Sequence, residues 1–213
     1  MMPALLLFTV ALAAPTGPLH CPDDMGAVAG FCMDRFEAPN EAGVNPITAA
    51  RATEGEQWCS ARGKRLCSEA EWVRACQGEA GRKYPYGNRY KKGVCNDDKE
   101  WRMPNWGKIA KYPAHEGKLE VERLYQADPS GSRPGCVSQD GIHDLTGNAA
   151  EWVSRSFPNR NNFAHVLKGC YWAGCYGGAP PSCAFVNPAH PGKFRTYEAG
   201  FRCCLSPAKP SEY

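Results

Sequence analysis

Asp144-Leu145-Thr146-Gly147-Asn148-Ala149-Ala150-Glu151-Trp152 is the stretch on which the reading of this chain turns. Its oxygen donors, from Asp144 to Glu151, stand at a spacing suited to a calcium loop, and Gly147 lets the backbone turn so that carbonyls face inward. A plainer reading is a glycine turn leading into a strand, with Glu151 exposed at the surface.

Upstream, regular patterning fails across residues 81–133, where Pro85, Gly87, Gly93, Pro104, Gly107, Pro113, Gly117, Pro129 and Gly131 punctuate the chain. That composition reads as irregular, ordered loop. Before it, Ser68-Glu69-Ala70-Glu71 is a capping box, in which the Ser68 hydroxyl and the Glu71 carboxylate satisfy opposite backbone donors. A short helix follows and ends before Gly78. Residues 48–62 carry Ala, Glu, Gln and Arg at helical density, with Gly63 where a C-terminal cap belongs. Residues 25–37 alternate apolar and polar around Phe31, Met33 and Phe36 and read as one strand. Downstream of Trp152, short strands alternate with turns through Phe201. Neither an internal repeat nor a second-domain boundary is visible.

The chain has 213 residues, 43% hydrophobic and 22% charged, with 22 Gly and 18 Pro. This describes one packed, loop-rich domain and excludes a disordered polyelectrolyte. A net charge of +3 is far from the strongly basic balance of a dedicated phosphate-backbone binder. Residues 82–92 hold five basic residues and three Tyr, which could stack a single strand, but for an exported protein a solvated loop with its tyrosines on the body is the better reading, and no nucleic-acid partner is expected.

Twelve cysteines are too many for idle thiols in a reducing cytosol, and their spacings lack the paired C-x-x-C knuckles of a zinc site. Residues 3–14 form an apolar run ending in small residues that fit an Ala11-Leu12-Ala13 cleavage pattern, although no Lys or Arg precedes it. The expected organisation is a signal peptide over 1–14, a spacer over 15–24, a single domain over 25–205 and a tail over 206–213. The expected location is secreted or periplasmic, with no membrane association beyond the signal peptide.

Four segments in this order resemble the formylglycine-generating enzyme family, also called sulfatase-modifying factors. They are Gly63-Lys64-Arg65-Leu66 with Ser68-Glu69-Ala70-Glu71-Trp72, then Tyr84-Pro85-Tyr86-Gly87-Asn88, then the 144–152 stretch, and finally Lys168-Gly169 with Gly200-Phe201-Arg202-Cys203. The resemblance implies an α+β fold, a loop-rich variant of the C-type-lectin-like topology stapled by disulfides. It also implies bridges from Cys59 to Cys203 and from Cys76 to Cys183. The pairs Cys67 with Cys204, Cys95 with Cys136, and Cys21 with Cys32 are inferred without that support. For calcium it implies a side chain at Asp144, carbonyls at Gly147 and Ala149, and the Glu151 carboxylate, with Asn96 in a second site.

Enzymes of the family oxidise a peptide cysteine to formylglycine with molecular oxygen, using two cysteines with four residues between them to hold Cu(I), a soft ion suited to thiolates. Cys170 and Cys175 keep that separation but stand four positions early relative to Lys168-Gly169, where the family has Gly-Ser. Ala150 also replaces the family's active-site Trp, and the His-Arg after the first copper cysteine is missing. The expectation is an exported family member without the oxidase site, with Cys170 bonded to Cys175, acting on a peptide or protein ligand by binding or scaffolding. Two alternatives stand beside it: a copper- and oxygen-dependent oxidase using Cys170 and Cys175 as a displaced pair, and a lectin-like binding module. His143 and His165 show no acid/base partner in the sequence.

Overall fold

A computed structural model describes residues 20–155 and 162–206. The expected signal peptide, the first half of the spacer and all but Ser206 of the tail lie outside the described residues.

The segment read as one strand is a hairpin of β1 (Met25–Val28) and β2 (Phe31–Asp34). Ala29 and Gly30 both adopt positive φ, the backbone of a two-residue turn whose twist matches the strands on either side. Alternation had masked the turn because Ala29 is not a usual turn residue. The first helix, α1 (Ala52–Ser60), starts four residues later than its composition predicts. Ala49 turns left-handed and the Ala50 N–H donates to the Ala199 carbonyl at 2.9 Å, so this segment is drawn onto a strand instead of coiling. Gly63 closes the turn beyond α1 at φ 68°, donating to the Ser60 carbonyl.

After β3 (Arg65–Leu66) comes α2 (Glu69–Gln77), opened by the reciprocal bonds the capping box predicts. Ser68 Oγ accepts from the Glu71 N–H at 3.3 Å, and Glu71 Oε2 accepts from the Ser68 N–H at 2.9 Å.

Residues 81–133 are not uniformly irregular, because they contain α3 (Trp106–Ile109) and α4 (His115–Leu124). Their Pro and Gly residues were misleading punctuation. Pro113 lies ahead of α4, where it interrupts no helical hydrogen bond. Gly117 is required by a close approach, since a Cβ there would stand 2.5 Å from the Tyr112 nitrogen.

The remaining strands are β4 (Ala150–Ser154), β5 (His165–Lys168), β6 (Val186–Asn187), β7 (Ala199–Phe201) and β8 (Cys203–Leu205). One sheet runs β1-β2-β8-β3 with antiparallel neighbours, so the last strand fills the gap between the first hairpin and β3. The other runs β6-β5-β4-β7, with β4 and β7 parallel. The core forms two clusters, one around Trp152, Trp172 and Phe201 and the other around Trp72, Leu145 and Val153. No helix among the described residues is long and apolar enough to cross a membrane.

Six disulfides join Cys21 to Cys32, Cys59 to Cys203, Cys67 to Cys204, Cys76 to Cys183, Cys95 to Cys136 and Cys170 to Cys175. The Cys59, Cys67 and Cys76 bridges span 144, 137 and 107 residues. In the chain-entropy account, each removes about 5 kcal/mol of unfolded-state freedom. They tie α1 and the α1–α2 connection to β8, and α2 to the segment ahead of β6.

A buried carboxylate centre and the groove beside it

Glu151 enters the core on β4 and is fully buried. Its Oε2 accepts from Trp72 Nε1 at 2.9 Å and from Arg202 Nε at 2.8 Å, while Oε1 accepts from Arg202 Nη2 at 2.6 Å. Arg202, the residue between β7 and β8, is equally buried and donates further to the His143 carbonyl at 2.9 Å. A forked guanidinium on a carboxylate, with an indole N–H filling another lone pair, is the arrangement that makes a buried ion pair tolerable. The reading of Glu151 as an exposed strand residue is therefore corrected.

The proposed calcium shell does not assemble around this carboxylate, because both Glu151 oxygens already serve Arg202 and Trp72, and a cation there would face a guanidinium. Asp144, at φ 58°, accepts from the Gly131 N–H at 2.7 Å. Gly147 is held by close packing, since a Cβ would meet the Asn96 carbonyl oxygen at 2.3 Å. Ala149 is buried next to it. Among the described residues no group of three or more His, Cys, Asp or Glu is placed to hold a metal ion. Asn96 donates from Nδ2 to the Gln126 carbonyl and to Asn148 Oδ1, and its buried Oδ1 has no hydrogen-bond partner among the described residues.

Sequence reasoning gave no role to Glu37, which is fully buried and accepts from Ser130 Oγ at 2.7 Å and from Asn148 Nδ2 at 2.8 Å. Burial first, and the nearby Asp144 carboxylate second, push the Glu37 carboxyl well above the usual range. Burial likewise raises Asp144.

Beyond β5, Cys170 is buried and Cys175 is half-buried. Tyr171 and Gly174 bridge each other, with Gly174 N donating to the Tyr171 carbonyl at 2.8 Å, and this tight return brings the two cysteines together. Their sulfurs are bonded to each other. A sulfur held in a disulfide is not a thiolate, so the residues do not fit the Cu(I) pair of the oxidase alternative.

Beside this disulfide runs an aromatic groove. A hollow of about 410 Å3 is lined by Trp101, Met103, Trp106, Tyr171, Tyr176 and Tyr197. It shares Trp106 and Tyr176 with a cavity of about 700 Å3 whose wall includes Phe194 and Glu198. Trp101 and Trp106 are each 50% exposed, Met103 69% and Tyr176 40%, an unusual concentration of open apolar surface. Tyr176 stacks on Tyr171 at 5.4 Å, and Tyr171 packs edge-on against Trp172.

His143 and His165 are elsewhere. His165 Nε2 lies 2.8 Å from Glu56 Oε1, a partner the sequence did not reveal, and His143 stacks on Phe36 at 5.0 Å. Neither lines the groove. In the basic loop, Tyr84 stacks on Tyr86 at 5.5 Å and Tyr90 donates to Asp97 at 3.0 Å.

The model of the Sulfatase-modifying factor enzyme 1-like domain matches residues 18–207, nearly the whole described chain. The chain belongs to this family. Relatives in Mus musculus and Bos taurus, each named "Inactive C-alpha-formylglycine-generating enzyme 2", are 26% identical over 170 and 168 residues. These alignments cover 78% of this chain but only 51% and 52% of the relatives, so the chain spans about half their length. Among solved structures, CarF superposes with a TM-score of 0.59 at 13% identity, covering 83% of this chain and 86% of that one. The Major Tropism Determinant I1 variant does so at 0.51 and 11% identity, covering 87% and 53%. At such identities the likeness is one of fold. The α+β architecture is that of the family.

Proposed function

We propose that this chain is a non-catalytic member of the sulfatase-modifying factor family that binds a peptide or protein segment along the groove lined by Trp101, Met103, Trp106 and Tyr176. The observation that carries this reading is the bond between Cys170 and Cys175, which occupies both sulfurs at the only position where the family's copper spacing is kept. The naming of two relatives as inactive supports it. Aromatic and Met side chains presented on a rigid wall are the surface chemistry of recognition sites: they bury a large area at low entropic cost. Six disulfides fit an oxidising compartment such as the extracellular space or the lumen of the endoplasmic reticulum, and export through the N-terminal apolar run belongs to the same proposal.

The test is chemical. Alkylation of the denatured, unreduced protein should find no free thiol, and proteolysis should yield one fragment pair or loop cross-linked through Cys170 and Cys175. The protein should bind no Cu(I) in competition with a chelator and should leave a cysteine peptide unoxidised under oxygen. Two free thiols at 170 and 175, with tight Cu(I) uptake and aldehyde formation in the peptide, would overturn it.

A further inference from the structure

Glu198 immediately precedes β7 and is fully buried, yet it lines the cavity of about 700 Å3 at the end of the groove. One of its oxygens, Oε2, accepts from the Thr196 hydroxyl. The other, Oε1, finds no hydrogen-bond partner among the described residues. A buried acceptor without a donor is unfavourable, and a ligand that brings the donor removes the deficit.

The other walls say which donor. Trp106, Ile109, Tyr176 and Phe194 make the cavity largely apolar, with aromatic rings whose faces attract cations. A purely apolar occupant would leave Oε1 unsatisfied. The cationic side chains facing the same space are Arg51, Lys193 and Arg195, with His190 alongside. Arg195 is already committed to Glu54 Oε1 at 2.5 Å and to the Ala49 carbonyl, and its guanidinium lies over Tyr112. His190 stacks on Phe194 at 3.9 Å, and burial lowers its pKa, which favours the neutral ring. The Arg195 Nε is buried without a partner among the described residues, so it, Arg51 and Lys193 remain to face the carbonyl groups of whatever chain carries the donor.

We propose that this cavity is a subsite for a primary ammonium group on an unbranched apolar stem, as in a lysine side chain, with Glu198 as the anionic anchor and Trp106, Tyr176 and Phe194 as walls. The stem replaces water against the apolar wall while the ammonium supplies the donor that Oε1 lacks. Burial pushes the free Glu198 carboxyl up to about 8, so near neutrality the site starts protonated. With Oε2 accepting from Thr196, that proton sits on Oε1, and ammonium binding releases it to the buffer so that Oε1 becomes the acceptor that pairs with the incoming cation.

This subsite rests on the binding role proposed above, but its test reads different atoms. The full chain would be titrated with n-pentylamine and, separately, with 1-pentanol, followed by the NMR shift of the Trp106 indole. The amine should bind at least 10-fold more tightly than the alcohol, with proton release visible as a dependence of binding heat on buffer ionisation enthalpy. Glu198→Gln should abolish that preference. Trp106→Ala, at a half-exposed wall position, should weaken the amine if Glu198→Gln does not fold. Equal affinity for amine and alcohol, an amine preference that survives Glu198→Gln, or an amine affinity, read by binding heat, that Trp106→Ala leaves unchanged overturns the proposal. Such a failure with the 170–175 disulfide intact sinks the subsite alone, whereas free, copper-binding thiols sink the non-catalytic role and leave the amine result standing.

Discussion

Glu151 and Glu198 are both shut away from solvent and close to each other: Glu151 on β4 lies opposite Gly200 of β7, Glu198 immediately precedes β7, and the Ala150 N–H donates to the Glu198 carbonyl. Yet their surroundings are opposite. Glu151 has a guanidinium and an indole on its two oxygens, and it faces the packed side of the sheet around Trp72. Glu198 has one hydroxyl, an open oxygen and a cavity. The difference teaches how to separate a structural acid from a binding acid inside one fold. Burial is common to both, and what distinguishes them is whether the protein itself completes the hydrogen-bond shell.

Stripping Glu151 of its partner should have the most severe consequence. Arg202→Met leaves a fully buried carboxylate uncompensated, and denaturant unfolding should register a loss of about 3 to 5 kcal/mol. A loss below about 1 kcal/mol would mean that the pair is not the centre of the core.

Glu198 predicts a pH signature in place of a large loss. Its folded value of about 8 lies above the ordinary 4.5, because burial disfavours the charged form. The folded state therefore holds the proton more tightly, and the contribution to stability is full below about 4.5 and is lost as the pH rises to about 8. Relative to the natural chain, Glu198→Gln should be neutral near pH 4 and more stable by about 1 to 4 kcal/mol at pH 9. Parallel stability profiles for the two proteins would show that Glu198 ionises freely and is not the buried acid described here.

On the groove side, replacing Cys170 and Cys175 together by Ser should cost about 2 kcal/mol or less, because the bridge closes a loop of separation 5. The same double change at Cys59 and Cys203, with separation 144, should cost more than twice as much in thermal unfolding. The smallest expected effect is at Trp106, half-exposed on the groove wall. Trp106→Ala should change stability by about 0.5 kcal/mol or less while weakening ligand binding, and a large stability loss would assign Trp106 to the core instead.

Local signals served the sequence reading well wherever the structure is local. The Ser68–Glu71 capping box and the Gly63 turn involve residues three or four apart and emerge as read. The reading failed where tertiary contacts override local preference. α4 was hidden because Gly117 serves the close approach of Tyr112, and the start of α1 shifted because Ala50 is bonded to Ala199. At the candidate site the motif residues Glu151 and Arg202 were visible, but their pairing was not, since 51 residues separate them. Glu198 carried no signal at all: next to Thr196, Tyr197 and Gly200 it looks like the ordinary entrance to a strand.

By itself the sequence determined the family, the cysteine inventory and the short-range turns and caps, because these depend on residue type and on spacings of a few positions. Only the tertiary structure decided which buried carboxylate is satisfied and which is left open, because hydrogen-bond partners are brought from distant parts of the chain and burial is a property of the packed whole.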